Sequence, residues 1–181
     1  MSSILFGAFD RHNFGDLLLP HVVAALLPGR DWVCAGLAQR DLRPDGGHAV
    51  QALADLAAAP GQCHEALVHV GGEILTCSAW QAAIMLLPPA QVQATLAYLQ
   101  ARPREQRQWV RRMLGTAALA PYTAARQRLP GVGRVIHAGI GGVALATCEP
   151  ALREEVISAL RTADHVAVRD RLTLAQLGAA G

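Results

Sequence analysis

The sequence contains no lysine, and all sixteen of its basic residues are arginine. Aromatic residues make up only 4% of the chain and are scattered, which leaves few rings for stacking on nucleic-acid bases. The net charge of +2 is too small to indicate a nucleic-acid-binding surface. We therefore expect no nucleic-acid partner, although arginine suits bidentate binding of phosphate or carboxylate.

Long apolar runs, a secretion signal and paired cysteine motifs are also missing. No run approaches the length of a membrane span, and the N-terminus has neither a basic leader nor a small-residue cleavage site. The four cysteines form no CxxC pair, and the spacing of Cys63, His64, His69 and Cys77 matches no standard zinc pattern. These absences predict a cytoplasmic protein with no metal, no cofactor and no transmembrane segment. A position near the inner face of the membrane and a homo-oligomer stay open.

Apolar runs alternate with helical patterns along the chain, which is 52% hydrophobic. Its 181 residues are enough for one domain with a real core. The runs are mostly continuous, as in parallel strands covered on both faces; they are 3–9, 31–37, 66–71, 133–140 and 165–169. Residues 48–53 fit either a further strand or the start of a helix. Helices are predicted at 16–27, within 79–128, at 150–162 and at 170–178. The pattern predicts a single Rossmann-like α/β domain over 1–181, with a doubly wound, mostly parallel sheet and a helical insert at about 79–130.

The insert carries a cluster of arginines. Arg104, Arg107 and Arg111 are spaced i, i+3 and i+7, so they share one face of a predicted helix. Two interpretations stay open: a solvated helix face, or a surface for an anionic ligand or acidic glycan.

Three glycine-containing loops follow predicted strands, at the edge where open α/β sheets place their ligands. They are HNFGD after the first strand, VGGEIL after 66–71 and HAGIGG after 133–140. Glycine permits close approach of the backbone to a phosphate, sugar or carboxylate. None contains GxGxxG or GKS/GKT, so NAD and ATP sites are disfavoured. Each loop alone fits a tight turn, but three at one edge favour a shared cleft.

The first loop contains several candidate binding residues. Gly15 would let the backbone turn sharply, and Asp16 would cap the following helix. Arg11 and His12 would bind a carboxylate or phosphate beside the helix N-terminus or remain in a solvated loop, and Asn13 would support the turn or face a ligand.

The candidates for catalysis are Glu73 and His12. Glu73 would act as a base in the cleft or remain a solvated loop acid. His69 and His137 each precede a glycine loop on an apolar strand, which favours core imidazoles over catalytic ones.

The ordered set HNFGD, LVHVGGEIL, IHAGIGG and VAVRDRLTLAQLG resembles the N-terminal half of the polysaccharide pyruvyl transferase family. Members carry N-x-G-D after strand one, then a GG(G/E) loop, a G-x-G loop and a V-R-D…S/T…L segment. The matching residues are Asn13, Gly15, Asp16, Gly71, Gly72, Glu73, Gly139, Gly141, Arg169, Asp170, Thr173 and Leu177. The chain has GGE rather than GGG in the second loop, and it lacks the proline that many members have after the third loop's glycines.

The resemblance implies a two-domain fold similar to GT-B glycosyltransferases. It implies transfer of a pyruvyl group from phosphoenolpyruvate to hydroxyls of a glycan or lipid-linked sugar, as a ketal, for an exopolysaccharide or cell-wall glycan. It also implies that Gly71, Gly72, Gly139, Gly141 and Arg169 border the ligand, and that a C-terminal domain supplies much of the basic donor pocket. On this basis we expect residues 1–181 to be the N-terminal half of a longer protein and inactive alone.

Two other functions stay open. One is a nucleotide-sugar glycosyltransferase domain of GT-B type, using the same strand-end cleft. The other is a non-catalytic α/β module that binds a glycan or a protein partner through the helical insert.

Overall fold

A computed structural model describes residues 1–59 and 61–179 of the chain. The strands are β1 (Ser3–Phe6), β2 (Trp32–Gly36), β3 (Arg40–Asp41), β4 (Ala49–Ala52), β5 (His64–Val70), β6 (Val132–Ile140) and β7 (His165–Val168). The α-helices are α1 (Phe14–Leu26), α2 (Leu53–Ala58), α3 (Ala79–Met85), α4 (Pro89–Leu99), α5 (Pro103–Leu114), α6 (Pro150–Arg161) and α7 (Arg171–Gly178).

The strands form one seven-stranded sheet in the order β3-β4-β2-β1-β5-β6-β7. All neighbouring pairs are parallel except β3 with β4. The predicted α/β class with a mostly parallel sheet is therefore confirmed. The chain crosses from β1 to β2 on one side and returns to β5 on the other. The strand order thus reverses between β1 and β5, and ligands of open α/β sheets bind at such a reversal.

Three local features can be compared with the elements expected from the sequence. Residues 48–53 satisfy both alternatives, since β4 ends at Ala52 and α2 begins at Leu53. The two-residue strand β3 is polar and too short to leave a periodic pattern. Pro150 occupies the first turn of α6, where its missing N–H costs nothing.

The sheet has two hydrophobic cores, one on each face. Alternate residues of β1 point in opposite directions. Ile4 and Phe6 join the larger core with α2, α3, α5 and α6. Leu5 joins the smaller core with Leu19 and Val23 of α1. The insert helices therefore lie on one face of the sheet and α1 on the other.

His69 and His137 are fully buried neighbours in the register of β5 and β6, and their rings stack at 4.0 Å. His69 Nε2 accepts the Ala124 N–H at 3.0 Å, whereas both ring nitrogens of His137 lack a partner among the described residues. Burial lowers the pKa of His137 to about 4, and burial with the adjacent His137 ring lowers the pKa of His69 well below 6.5. Both are neutral core imidazoles, as the apolar strands indicated.

No helix within the described ranges is long and apolar enough to cross a membrane.

The buried histidines predict a loss of stability in acid. Between pH 6.5 and about 4 the unfolded chain binds a proton at His137 that the folded chain excludes. The free energy of unfolding should therefore be highest above pH 6.5 and fall as the pH drops, by about 1.4 kcal/mol per pH unit for each histidine in its window. Urea denaturation at a series of pH values measures this slope.

Two substitutions separate the roles of the histidines. His137→Leu removes a proton site and no hydrogen bond, so it should flatten the pH profile without loss of stability at pH 7. His69→Leu leaves the Ala124 N–H unpaired and should cost about 2 kcal/mol at pH 7. An unchanged acid slope in His137→Leu would contradict this assignment.

Candidate functional site

The three glycine loops meet around one cavity of about 820 Å³ at the strand ends where the sheet order reverses. Nine predicted residues line it: Arg11, Asn13, Gly15, Asp16, Gly71, Gly72, Glu73, Gly139 and Arg169. The remaining lining residues were not predicted; they are Leu19, Thr76, Cys77, Gln81, Ile84 and Met85. The shared cleft expected from the sequence thus has a geometric counterpart, while the roles of its residues remain predictions.

The loop after β1 is anchored by Asp10, which sequence analysis did not single out. This carboxylate is fully buried and accepts the N–H groups of Leu37 (2.6 Å) and Ala38 (2.9 Å) after β2. It also accepts the Tyr122 hydroxyl at 3.4 Å. Burial raises the pKa of Asp10 against the opposing effect of the two N–H donors, and burial also raises the pKa of Tyr122 well above 10. Asp10 therefore fixes the first loop against the residues after β2 and against Tyr122 of the insert.

The expected cap by Asp16 is wrong. Asn13 is the N-cap of α1, and its side-chain oxygen accepts the Gly15 N–H at 3.1 Å. Asp16 Oδ2 instead accepts from Nε (3.3 Å) and Nη2 (3.0 Å) of Arg11. Asn13 takes the capping role because it is the last extended residue before the helix.

The expected sharp turn at Gly15 is also wrong, because Gly15 lies inside the first turn of α1. A Cβ placed there would only reach ordinary contact with the Asn13 side chain, at 3.5 Å.

The loops after β5 and β6 are joined through their backbones. The Gly141 N–H donates to Gly72 O (2.8 Å), and the Leu75 N–H donates to Gly141 O (3.1 Å). Gly71 has a φ of +57°, and a Cβ there would collide with the Leu19 side chain. The tight turn after β5 therefore requires glycine both for its conformation and for packing against α1.

Glu73 makes several bonds at the edge of the cavity. Its Oε2 accepts from Arg169 Nη2 at 2.6 Å. Its Oε1 accepts the Val143 N–H at 2.7 Å and the Thr76 hydroxyl at 3.2 Å. Because both oxygens already accept hydrogen bonds, Glu73 holds the second loop, the third loop and Arg169 together.

Gly141 does not line the cavity, although it was predicted to border the ligand. A Cβ at this position would approach Glu73 Oε2 to 2.5 Å and would also strike the Arg169 guanidinium. The absence of a side chain at Gly141 therefore makes room for the ion pair between Glu73 and Arg169.

The V-R-D segment ties α7 to the third loop. Asp170 is the N-cap of α7 and accepts the Thr173 N–H at 2.7 Å. The buried Thr173 hydroxyl donates to Asp170 Oδ2 (2.8 Å) and accepts the Gly142 N–H (2.9 Å). Hydrogen bonds from Thr173 lower the pKa of Asp170. Arg169 is thus held beside the cavity by the cap that follows it.

His12 lies outside the cavity lining. Its side chain is exposed, and its Nε2 lies 3.8 Å from Asp45 Oδ2. This location gives no support to a catalytic role for His12, which remains a prediction from sequence.

The charges of the cavity lining cancel. Arg11 pairs with Asp16, and Arg169 pairs with Glu73. Within the described part of the chain, Asp16 Oδ1 receives no hydrogen bond, so one carboxylate oxygen of the lining is open to a ligand.

Leu19, Ile84 and Met85 also line the cavity and are here called the apolar wall, and Arg11 Nη1 donates to Met85 Sδ. Two of its members come from α3, whose position over the cavity follows from a capping box at Ser78 and Gln81 directly after the second loop. That Ser-x-x-Gln pattern was the sequence signal for a helix start at this place.

The cavity contains one thiol and no cluster suited to a metal. Burial raises the pKa of Cys77 to about 11, so the thiol stays protonated at neutral pH. Among residues 1–59 and 61–179, no group of three or more His, Cys, Asp and Glu is arranged to hold a metal ion.

Comparisons with models of protein families, with curated proteins and with solved structures found no match to this chain.

Thr173 offers a test of how the third loop is held. Thr173→Val keeps the shape but removes the hydroxyl that links Asp170 to Gly142, so it should lower the free energy of unfolding by about 2 kcal/mol. Thr173→Ser keeps the hydroxyl and should lose less. Thermal or urea denaturation of the two variants measures the difference, and a smaller loss in Thr173→Val than in Thr173→Ser would show that the methyl group, not the hydroxyl, matters.

Proposed function

We propose that the cavity is the sugar-binding part of an active site of the polysaccharide pyruvyl transferase type, within a GT-B-like two-domain protein. In that reaction a pyruvyl group passes from phosphoenolpyruvate to a sugar of a glycan or lipid-linked acceptor. The observation that carries the proposal is the meeting of three loops at one cavity, because these loops carry the family resemblance. Arg169 of the V-R-D segment joins them there through Glu73.

The electrostatics of the cavity favour a neutral sugar over phosphoenolpyruvate. Each arginine of the lining already faces a carboxylate, so a multiply charged anion would have to compete with Asp16 and Glu73. A sugar presents hydroxyls that both donate and accept, which suits a lining with Asn13, Gln81 and the paired ions. Its C–H face suits the apolar wall. The phosphate and carboxylate of the donor would then bind to the second domain that the resemblance implies.

Ketal formation joins two sugar oxygens to C2 of the pyruvyl group. One hydroxyl adds to C2 while a proton adds to the methylene carbon, and the second hydroxyl displaces phosphate. A base must accept a proton from each attacking hydroxyl. Asp16 suits this role better than Glu73, since its Oδ1 is open while both Glu73 oxygens are engaged. Glu73 would act as a positioning residue that fixes Arg169.

Binding of sugars to the chain tests this proposal. We expect saturation-transfer NMR to show contact with neutral mono- and oligosaccharides, and only weak contact with phosphoenolpyruvate. Asp16→Ala should lower the sugar affinity roughly tenfold, because a hydrogen bond to a charged oxygen is lost. The same variant should bind phosphoenolpyruvate more tightly, because Arg11 loses its carboxylate partner.

Asp45→Ala serves as the matched control, because Asp45 is exposed and lies outside the cavity lining. It should leave both affinities unchanged. The same NMR measurement with a nucleotide sugar tests the alternative of a GT-B glycosyltransferase. Contact through the nucleotide protons would favour that alternative. Sugar binding that Asp16→Ala leaves intact would contradict the assignment of the cavity.

A further inference from the structure

The arginines of the chain are unevenly distributed. Residues 74–148, here called the basic segment, contain eight arginines and one acidic residue, Glu105. The rest of the chain contains eight arginines and thirteen acidic residues. The small net charge of +2 therefore conceals a strongly basic segment joined to an acidic remainder, and an asymmetry of this kind indicates an anionic partner.

The basic segment presents much of its charge on one helix. Val110 and Leu114 bury one side of α5 in the larger core, and Trp109 packs edge-on against Trp80 with ring centroids 5.8 Å apart. These contacts fix the orientation of the helix. Arg104, Arg107 and Arg111 are consequently exposed, and we call them the arginine face. They span about 10 Å along the helix axis.

The arginine face is not neutralised within the described part of the protein. No carboxylate lies within ion-pair distance of its three guanidinium groups, and no other partner is present for them there. Some exposed arginines elsewhere do have acidic partners, as Arg30 has with Glu65 (2.8 Å) and Arg43 with Asp41 (2.6 Å). The arginine face thus remains available for an external anion.

The helix before α5 is uncharged and exposed. Residues 74–101 contain no charged side chain, and α4 buries only Leu99. Tyr98, at the C-terminal end of α4, is 55% exposed, and the Arg102 guanidinium lies 4.2 Å from the centre of its ring. Tyrosine and arginine together are typical of the boundary between bilayer headgroups and acyl chains.

From these features we infer that α4 and α5 form a surface that binds the anionic face of a lipid bilayer peripherally. A dissolved acidic polymer would use the arginines alone, whereas a bilayer also accommodates the uncharged helix and the exposed tyrosine. The surface is separate from the cavity proposed to bind a sugar, which α4 and α5 do not line. It would hold the protein beside lipid-linked or membrane-bound molecules without any spanning helix.

Vesicle co-sedimentation tests this surface on the whole chain. Vesicles of phosphatidylcholine with phosphatidylglycerol should bind the protein at least roughly tenfold more tightly than vesicles of phosphatidylcholine alone, and added salt should weaken the binding. The triple variant R104Q/R107Q/R111Q should lose roughly 100-fold in affinity. Circular dichroism and a thermal melt establish that each variant is folded.

The control variant R134Q/R153Q/R171Q removes the same charge from positions outside α4 and α5. It should keep most of the vesicle affinity. Equal losses in the two triple variants would show that net charge alone attracts the protein, and would overturn the inference. Equal affinity for the two kinds of vesicle would also overturn it, as would binding to a soluble acidic polysaccharide without binding to vesicles.

Discussion

The buried carboxylate of Asp10 is the interaction on which the geometry of the candidate site depends. It binds two N–H groups at the end of β2 and the hydroxyl of Tyr122 from the segment after the insert helices. One side chain thus joins the first loop, the second strand and the insert. A buried carboxylate is costly unless its oxygens are satisfied, and this cost makes any other arrangement of the loop unfavourable. Arg11 directly follows the fixed Asp10, and Asp16 is tied to Arg11 by an ion pair.

In the rest of the cavity lining, each arginine is paired with a carboxylate of the protein itself. The pairs Arg11–Asp16 and Arg169–Glu73 keep long side chains in place before any ligand binds. Such preorganisation reduces the entropy lost on binding, but it also lowers the attraction for a free anion. The site consequently differs from the phosphate cradles of nucleotide-binding loops, which present unpaired N–H groups at a helix N-terminus. Here the N-terminus of α1 is capped by Asn13.

Much of the fold could be predicted from the sequence because buried parallel strands appear in it as continuous apolar runs. The three loops could be placed at one edge for the same reason, since the carboxyl ends of parallel strands share an edge. The individual contacts could not be predicted. Asp16 and Asn13 are equally good caps by composition, and only the start of the helix decides between them. Likewise nothing in the sequence near His12 shows that it lies outside the cavity lining. The apolar wall could not be predicted either, because two of its residues belong to α3 and reach the cavity only through the tertiary fold. Arg169 is 96 residues from Glu73, and pairing over that separation is a property of the fold.

Gly141 shows how these constraints limit change in the sequence. Its Cα lies so close to the carboxylate of Glu73 and the guanidinium of Arg169 that one methyl group would force them apart. Substitution at any one of these three positions therefore alters what the other two can be. A larger residue at position 141 would therefore be accompanied by a displaced or broken ion pair. Because the contacted atoms are the ends of two partly exposed side chains, a substitution at Gly141 would be accommodated by moving them, and its first effect would be on the alignment of Arg169 beside the cavity.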